Sequence, residues 1–162
     1  MKSAPGRKSV AYSGFVIPST GALWVHKPGW FTYKTVIESI RDFLKNNPLE
    51  NGKKYSMVMD NAPWHRKAKR LIKENAGGIY QDILDKVVFV YLPPYSPDLN
   101  PIEQVWRIVR REVTHNRYFA TIESMTAKLD EYFAQYTKPN SKFESLCSFQ
   151  YRSSALQTGK IA

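Results

Sequence analysis

The chain has 162 residues, which is enough for one well-buried domain and too few for two of ordinary size. Its 24 Lys and Arg residues outnumber its 14 Asp and Glu residues, which gives a net charge of +10. Such a charge either favours a phosphate backbone or an anionic surface as the binding partner, or indicates only a well-solvated surface. We expect no transmembrane segment, no signal peptide and, with one cysteine, no internal disulfide, which together predict a cytoplasmic protein.

The predicted elements alternate between strands and helices. Residues 9–17 and 22–27 are apolar segments on either side of a PSTG turn and predict a β-hairpin. The later elements are a helix over 32–46, a strand over 55–59, a helix over 66–75, a helical turn within 79–86, a strand over 87–92, and helices over 101–115 and 121–136. This order predicts a largely parallel α/β core in residues 1–136, with a hairpin at one side. Residues 137–162 have weak periodicity and are expected to form a loosely docked tail.

Asp60 follows directly on the apolar segment YSMVM, at the predicted end of a buried strand. Ligands gather at the carboxyl ends of strands in open α/β sheets, and a carboxylate there is disfavoured unless it is paired or binds a metal. The alternative is that Asp60 caps the next helix or braces the NAPWH turn, and position alone favours neither interpretation. His65 either orients a phosphate or a water, or is a residue of the turn or the helix start.

Glu103 lies in the first turn of the helix that is predicted from Pro101. A structural interpretation is available, because Asn100 suits the N-cap and Glu103 then falls at the third position of a capping box. Glu103 can also pair with Arg107 one turn later. The functional interpretation requires Glu103 to face the end of the strand that carries Asp60, and the strand over 87–92 can direct the helix there.

If the two carboxylates meet, they form an oxygen-rich site of the kind that Mg²⁺ or Mn²⁺ prefers. Such ions activate an attacking oxygen and stabilise a leaving oxygen of a phosphodiester. Zinc is not expected, because the three histidines are scattered and the cysteine has no partner cysteine. Residues near the two acids are candidates for a rim that binds DNA phosphates, although each alone is also a solvated surface group. The candidates are His65, Lys67, Lys69, Arg70, Arg107, Arg110 and Arg111.

Two segments resemble the signature blocks of a known family. DNAPWH at 60–65 and LPPYSPDLNPIEQVW at 92–106 are similar to the second and third blocks of the mariner superfamily of DDE transposases, in its bacterial insertion-sequence branch. The resemblance, over roughly residues 9–120, implies an RNase H-like, retroviral-integrase-like mixed sheet flanked by helices. It also implies three acidic residues that hold divalent metals, Mg²⁺ or Mn²⁺, and an enzyme that uses these metals to cleave and join DNA. By motif match, Asp60 corresponds to the second acid and Glu103 to the third.

The first acid of the family pattern has no match in this sequence. The family carries it on a strand before the hairpin, whereas no Asp or Glu precedes Glu38 here. Asp42 and Asp98 stand at positions that do not replace it. The resemblance therefore implies an N-terminally truncated catalytic domain, whose missing strand comes from a companion chain or from a second copy by strand exchange, or else a decayed remnant.

Two functions remain open at this point. The first is a transposase catalytic domain for metal-dependent DNA cleavage and strand transfer, which acts on transposon ends and target DNA and is incomplete as an isolated chain. The second is a non-catalytic DNA-binding remnant of a transposase, and a nuclease of the same fold that acts on host DNA is a weaker third option. Family analogy implies a homodimer, and no membrane partner is expected. Metal binding at Asp60 and Glu103 separates the first two, and we expect the isolated chain to cut DNA poorly.

Overall fold

The computed structural model describes residues 10–93 and 96–147. The strands are β1 (Ser13–Ile17), β2 (Ala22–His26), β3 (Tyr55–Met59) and β4 (Val87–Tyr91). The α-helices are α1 (Tyr33–Asn46), α2 (Pro63–Glu74), α3 (Gln81–Leu84), α4 (Pro101–Val109) and α5 (Ile122–Ala134), and residues 141–147 are also helical. A 3₁₀ turn, Pro97–Leu99, precedes α4, and a π turn, Arg110–Thr114, follows it. Within the described residues, no helix is both long and apolar enough to cross a bilayer. The predicted order of strands and helices is confirmed up to α5.

Some predicted boundaries shift for identifiable reasons. The first strand begins at Ser13 rather than at residue 9, which lies outside the described residues. The second helix begins at Pro63 rather than at Arg66, because proline suits the first turn of a helix, where its missing N–H is not needed. The helix predicted over 101–115 is α-helical only to Val109. Residues 94 and 95 of the Pro-rich turn also lie outside the described residues.

The strands form two separate pairs rather than one sheet. β1 and β2 are antiparallel, with Phe15 opposite Trp24, and β3 and β4 are parallel, with Met57 opposite Phe89. In the part of the chain that the structure describes, no ladder joins the two pairs. The expectation of a largely parallel core therefore holds for β3 and β4 only, and the mixed α/β character is confirmed.

Two apolar clusters hold these pairs in place. The first lies around α1 and α2, where Ile40 and Ile72 are fully buried and Phe43 stacks on Phe15 of β1 with ring centroids 4.7 Å apart. The second lies around α4 and α5 and includes Val105. Val16, the next residue of β1, packs against this second cluster. Successive side chains of β1 thus contact opposite clusters, so the hairpin lies between two helical layers.

The helical stretch 141–147, which follows α5, packs into the second apolar cluster. Phe143 and Cys147 of the helical stretch 141–147 are fully buried. Asn140 Nδ2 donates a hydrogen bond of 2.7 Å to the carbonyl of Gly21 in the hairpin turn. Gly21 has a φ of +70°, and a Cβ at this position would lie 2.2 Å from the Asn140 carbonyl, so both the backbone angle and the close approach require glycine. The expectation of a loosely docked tail is therefore wrong for 141–147, because its apolar residues are buried. Residues 148–162 lie outside the described residues, and the domain boundary at 136 stays a prediction.

Candidate functional site

Asp60 is the first residue after β3, and its carboxylate is held by the turn that follows. Its Oδ1 accepts a hydrogen bond of 3.0 Å from the N–H of Ala62 and is paired with Nδ1 of His65. The bond from His65 holds the pKa of Asp60 below its usual value, with help from Ala62 and against the opposing effect of burial. Asp60 thus braces the NAPWH turn, as the structural interpretation held. About half of its side chain, 49%, is still exposed, so this contact does not remove it from solvent or from a ligand.

Glu103 lies in the first turn of α4, but neither of the structural roles considered for it is formed. Asn100 is the N-cap by position, yet its side chain makes no capping hydrogen bond, so the predicted capping box is absent. The Glu103 N–H instead donates a bond of 3.0 Å to the carbonyl of Asn100. Arg107, the other expected partner, forms its ion pair with Asp98.

The electrostatics of Glu103 connect it to Asp60. Burial is the larger cause of a raised pKa for Glu103, and the charge of Asp60 is the second. The charges of Arg107 and Arg110 oppose the rise without cancelling it. Asp60, His65 and Glu103 also line the same cavity, which has a volume of about 300 Å³. The structure therefore brings the two acids that the sequence singled out to one place.

The donor set fits a hard divalent cation only in part. Carboxylate oxygens are the ligands that Mg²⁺ and Mn²⁺ prefer, and two carboxylates are present. However, in residues 10–93 and 96–147 no group of three or more His, Cys, Asp or Glu side chains is arranged to hold a metal ion. Asp42 lies 3.8 Å from Nδ1 of His26, and Asp98 is paired with Arg107, so both are engaged elsewhere.

The basic residues predicted to form a phosphate-binding rim have different surroundings. Arg110 and Arg111 are exposed beyond the last turn of α4. Nζ of Lys67 lies 4.3 Å from the ring centroid of Tyr33. Nε of Arg70 lies 3.7 Å from Oε1 of Glu74 on the same helix. His65 and Arg107 are engaged with the acids already described. Among contacts between described residues, Arg110 and Arg111 are thus the exposed cations of the predicted set whose side chains form no ion pair and lie over no aromatic ring.

Lys69 does not fit the predicted rim. It is only 2% exposed, lies over the ring of Tyr91, and its Nζ has no hydrogen-bond partner. Burial, with a smaller effect from the charge of Lys73, lowers the pKa of Lys69 to about 8. The expectation that Lys69 contacts DNA phosphate is corrected by this burial, because an enclosed ammonium group cannot reach a ligand at the surface.

An aromatic pair beside the acids was not singled out from the sequence. The rings of Phe31 and Trp64 are stacked, with centroids 5.8 Å apart and an interplanar angle of 21°, and both side chains are more than a third exposed. Trp30, next to this pair, is 82% exposed. The available signal was the alternation of aromatic and basic residues in HKPGWFTYK, at 26–34. Such a surface offers apolar faces next to positive charge.

Comparisons with known proteins agree with the two signature blocks. A family model described as DDE superfamily endonuclease matches residues 1–126. An uncharacterized protein, y4pE/y4sA, from Sinorhizobium fredii (strain NBRC 101917 / NGR234) is 31% identical over 71 residues, which are 44% of this chain and 44% of that protein. The chain thus matches less than half the length of this relative. No solved structure matches it significantly. Because the family model covers more than half of the sequence, the chain belongs to the DDE endonuclease superfamily.

Proposed function

We propose that this chain is the catalytic domain of a mariner-type transposase, of the bacterial insertion-sequence branch, which cleaves DNA strands at transposon ends and transfers them to target DNA in the cytoplasm. The observation that carries the proposal is that Asp60 and Glu103, one acid from each signature block, line the same cavity. The raised pKa of Glu103, caused first by burial and then by the charge of Asp60, supports it. Two carboxylates at one cavity, in a protein with a net charge of +10, suit a cation at the carboxylates and a polyanion at the basic surface.

Each residue at the cavity has a separate role in this proposal. Asp60 and Glu103 would hold Mg²⁺ or Mn²⁺ through their oxygens. When bound, such a cation polarises a phosphodiester and lowers the pKa of water. His65 fixes the orientation of the Asp60 carboxylate and keeps it ionised. Arg110 and Arg111, together with Lys67, place positive charge near the acids for the DNA backbone.

The site is proposed to be incomplete in this chain alone. Two carboxylates bind two cations less well than three, and the described residues provide no third acid at the cavity. A companion polypeptide or a second copy of the chain would supply the remaining strand and its acid. Pairing of two copies across two DNA ends is a further part of the proposal, supported by family membership rather than by contacts.

DNA binding with and without Mn²⁺ tests the proposal without requiring full activity. Fluorescence anisotropy of a labelled duplex would be measured at fixed ionic strength for the wild-type chain, Asp60→Asn and Glu103→Gln. The proposal expects Mn²⁺ to increase the affinity of the wild-type chain and each substitution to remove that increase. Asp85→Asn, which removes an exposed carboxylate bonded to Gln81, is the charge-matched control and should keep the increase.

The alternative function gives a different result in the same experiment. A non-catalytic DNA-binding remnant binds DNA with a salt-dependent affinity, but Mn²⁺ does not change that affinity beyond its ionic-strength effect. Equal responses of the wild-type chain and of both site variants to Mn²⁺ would therefore favour the remnant and contradict the metal-dependent site.

A further inference from the structure

We propose that the stacked rings of Phe31 and Trp64 form a binding platform for one unpaired nucleobase of a DNA strand whose phosphodiester lies at the two carboxylates. The inference rests on the proposed function in taking DNA as the ligand. It adds the form of that DNA, which is a strand with a base outside the double helix. Both rings line the cavity that Asp60 and Glu103 also line.

A continuous series of contacts connects the platform to the carboxylates. The rings of Phe31 and Trp64 are stacked with their centroids 5.8 Å apart. The indole of Trp64 meets the imidazole of His65 edge to face, with centroids 6.2 Å apart and an interplanar angle of 79°. His65 in turn pairs with the Asp60 carboxylate. A base on the platform and a phosphate at the acids thus occupy one cavity, as neighbouring parts of one nucleotide strand require.

Local structure fixes the positions of both rings. Phe31 directly precedes the N-cap of α1, Thr32, whose side chain accepts a hydrogen bond of 3.2 Å from the N–H of Thr35. The hydroxyl of Thr35 donates a bond of 2.9 Å to the carbonyl of Trp30, on the other side of Phe31. Trp64 lies in the first turn of α2. Because both rings are held at helix starts, little conformational freedom is lost when a base stacks on them, which favours binding.

The charges around the platform favour a nucleic-acid strand over an apolar partner. Segment 26–34, HKPGWFTYK, contains two lysines and no acid, and Lys34 is exposed. Nζ of Lys67 lies 4.3 Å from the ring centroid of Tyr33. Lys67 lies one turn after Trp64 on α2, so its charge is beside the platform. Aromatic rings next to cations bind single strands, because the rings stack with bases while the cations attract phosphates. An apolar peptide would leave these charges without partners.

The exposure of the rings specifies an unpaired base. Phe31 is 37% exposed and Trp64 is 38% exposed, so part of the pair is open to a ligand. Bases inside a duplex are already stacked on both faces, and only a base at a frayed end or in a single strand offers a free face to a ring. In the metal-free chain the two carboxylates repel a phosphate, whereas an uncharged base meets no such repulsion. The platform can therefore hold a strand at the site before a cation binds.

Binding of two single-stranded oligonucleotides to the whole chain tests the inference. One is a labelled oligothymidylate of about ten nucleotides, and the other has the same sugars and phosphates but hydrogen in place of every base. Fluorescence anisotropy without divalent metal, at fixed ionic strength, is expected to give the wild-type chain an affinity for oligothymidylate that is at least about fivefold higher. Equal affinities would overturn the inference. Because no metal is present, they would do so whether or not Mn²⁺ increases DNA affinity through Asp60 and Glu103.

Substitutions at the two rings locate the bound base. Trp64→Ala and Phe31→Ala are each expected to weaken oligothymidylate binding at least about fivefold and to leave the affinity for the abasic strand within about twofold, because only a base contacts the rings. Trp64→Phe keeps an aromatic ring and should bind oligothymidylate within about threefold of the wild-type chain. Tyr118→Ala removes a ring that is 91% exposed and does not line the cavity, so it should change neither affinity.

A purely structural role of the ring pair gives a different pattern. If Phe31 and Trp64 only pack the start of α1 against α2, Trp64→Ala lowers the affinity for both strands alike. Equal losses for the two strands would therefore contradict the platform. A preference for oligothymidylate that persists in both alanine variants, or that Tyr118→Ala reduces equally, would place the stacked base elsewhere and also overturn the inference. The comparison of the two strands on the wild-type chain decides the matter if the alanine variants do not fold.

Discussion

The charge of Asp60 raises the pKa of Glu103, at a cavity that both residues line where β3 ends and α4 begins. Burial of Glu103 acts in the same direction and is the larger cause. Ionisation of Glu103 therefore costs free energy in the metal-free chain, and a bound cation would offset this cost. The place of Glu103 in the fold, at the cavity that it shares with Asp60, therefore determines how readily its side chain ionises.

Glu103→Gln is expected to maintain or raise the free energy of unfolding of the metal-free chain at neutral pH, by up to about 1 kcal/mol. The reason is the raised pKa, since an acid that is harder to ionise in the folded state destabilises that state once the pH exceeds its folded pKa. Urea unfolding measures the change. Glu123→Gln removes a carboxylate from the first turn of α5 and should instead cost a few tenths of a kcal/mol, through the helix dipole. A clear loss of stability in Glu103→Gln would show that Glu103 has a structural role instead.

The contact between His65 and Asp60 predicts a pH dependence in the acid range. The pKa of Asp60 is lowered from an ordinary value of 3.8, so its contribution is complete above that value and is lost as the pH falls through the lowered pKa. Because Asp60 is half exposed, the contribution is below about 1 kcal/mol. His65→Ala should reduce the loss of stability that is measured by urea unfolding between about pH 5 and pH 2. Substitution of the exposed His115 with Ala should leave that loss unchanged, and an equal effect of both variants would contradict the role of His65.

The burial of Phe143 predicts that the segment after α5 stabilises the fold. Phe143→Ala is expected to lower the free energy of unfolding by about 3–5 kcal/mol, because it leaves a cavity in the second apolar cluster. Tyr118→Ala, at a position that is 91% exposed, should change it by less than about 0.5 kcal/mol. Chemical denaturation measures both. A small effect of Phe143→Ala would mean that residues 141–147 are docked loosely after all.

The exposure of Arg110 and Arg111 predicts their effect on DNA affinity. Removing both with alanine should weaken binding to all duplex sequences alike and reduce the slope of log affinity against log salt by about 2. Lys69→Met should leave that slope unchanged, because the Lys69 ammonium is enclosed beside Tyr91. Anisotropy titrations at several salt concentrations provide the slopes. A reduced slope in Lys69→Met would show that this side chain reaches the DNA.

Sequence patterns predicted the parts of the site that depend on local chemistry. The end of β3 at Met59 and the start of α4 at Pro101 agree with the expected positions, because an apolar run and an Asn-Pro step mark them. Asp60 and Glu103 also line one cavity, as the functional interpretation of Glu103 requires. Long-range packing decides the remaining features. The enclosure of Lys69 depends on Tyr91, a residue of another element whose approach no local pattern reveals.

Other features were missed for the same reason. Residues 141–147 have weak periodicity, and their helix is held by contacts with the distant hairpin turn through Asn140 and Gly21. The Glu103 capping box fits the sequence pattern, yet the Asn100 side chain makes no capping bond and is largely buried. The separation of the strands into two pairs also follows from tertiary pairing, which single strands do not specify.

Mn²⁺ titration of the chain, followed by electron paramagnetic resonance of the free ion, tests the central claim most directly. The account predicts saturable binding in the wild-type chain, and an affinity at least about tenfold lower in Asp60→Asn and in Glu103→Gln. Asp85→Asn should bind as the wild-type chain does. Saturable binding that is unchanged when Asp60 and Glu103 are both replaced, or no saturable binding in the wild-type chain, would contradict the proposal that these two carboxylates form a metal site.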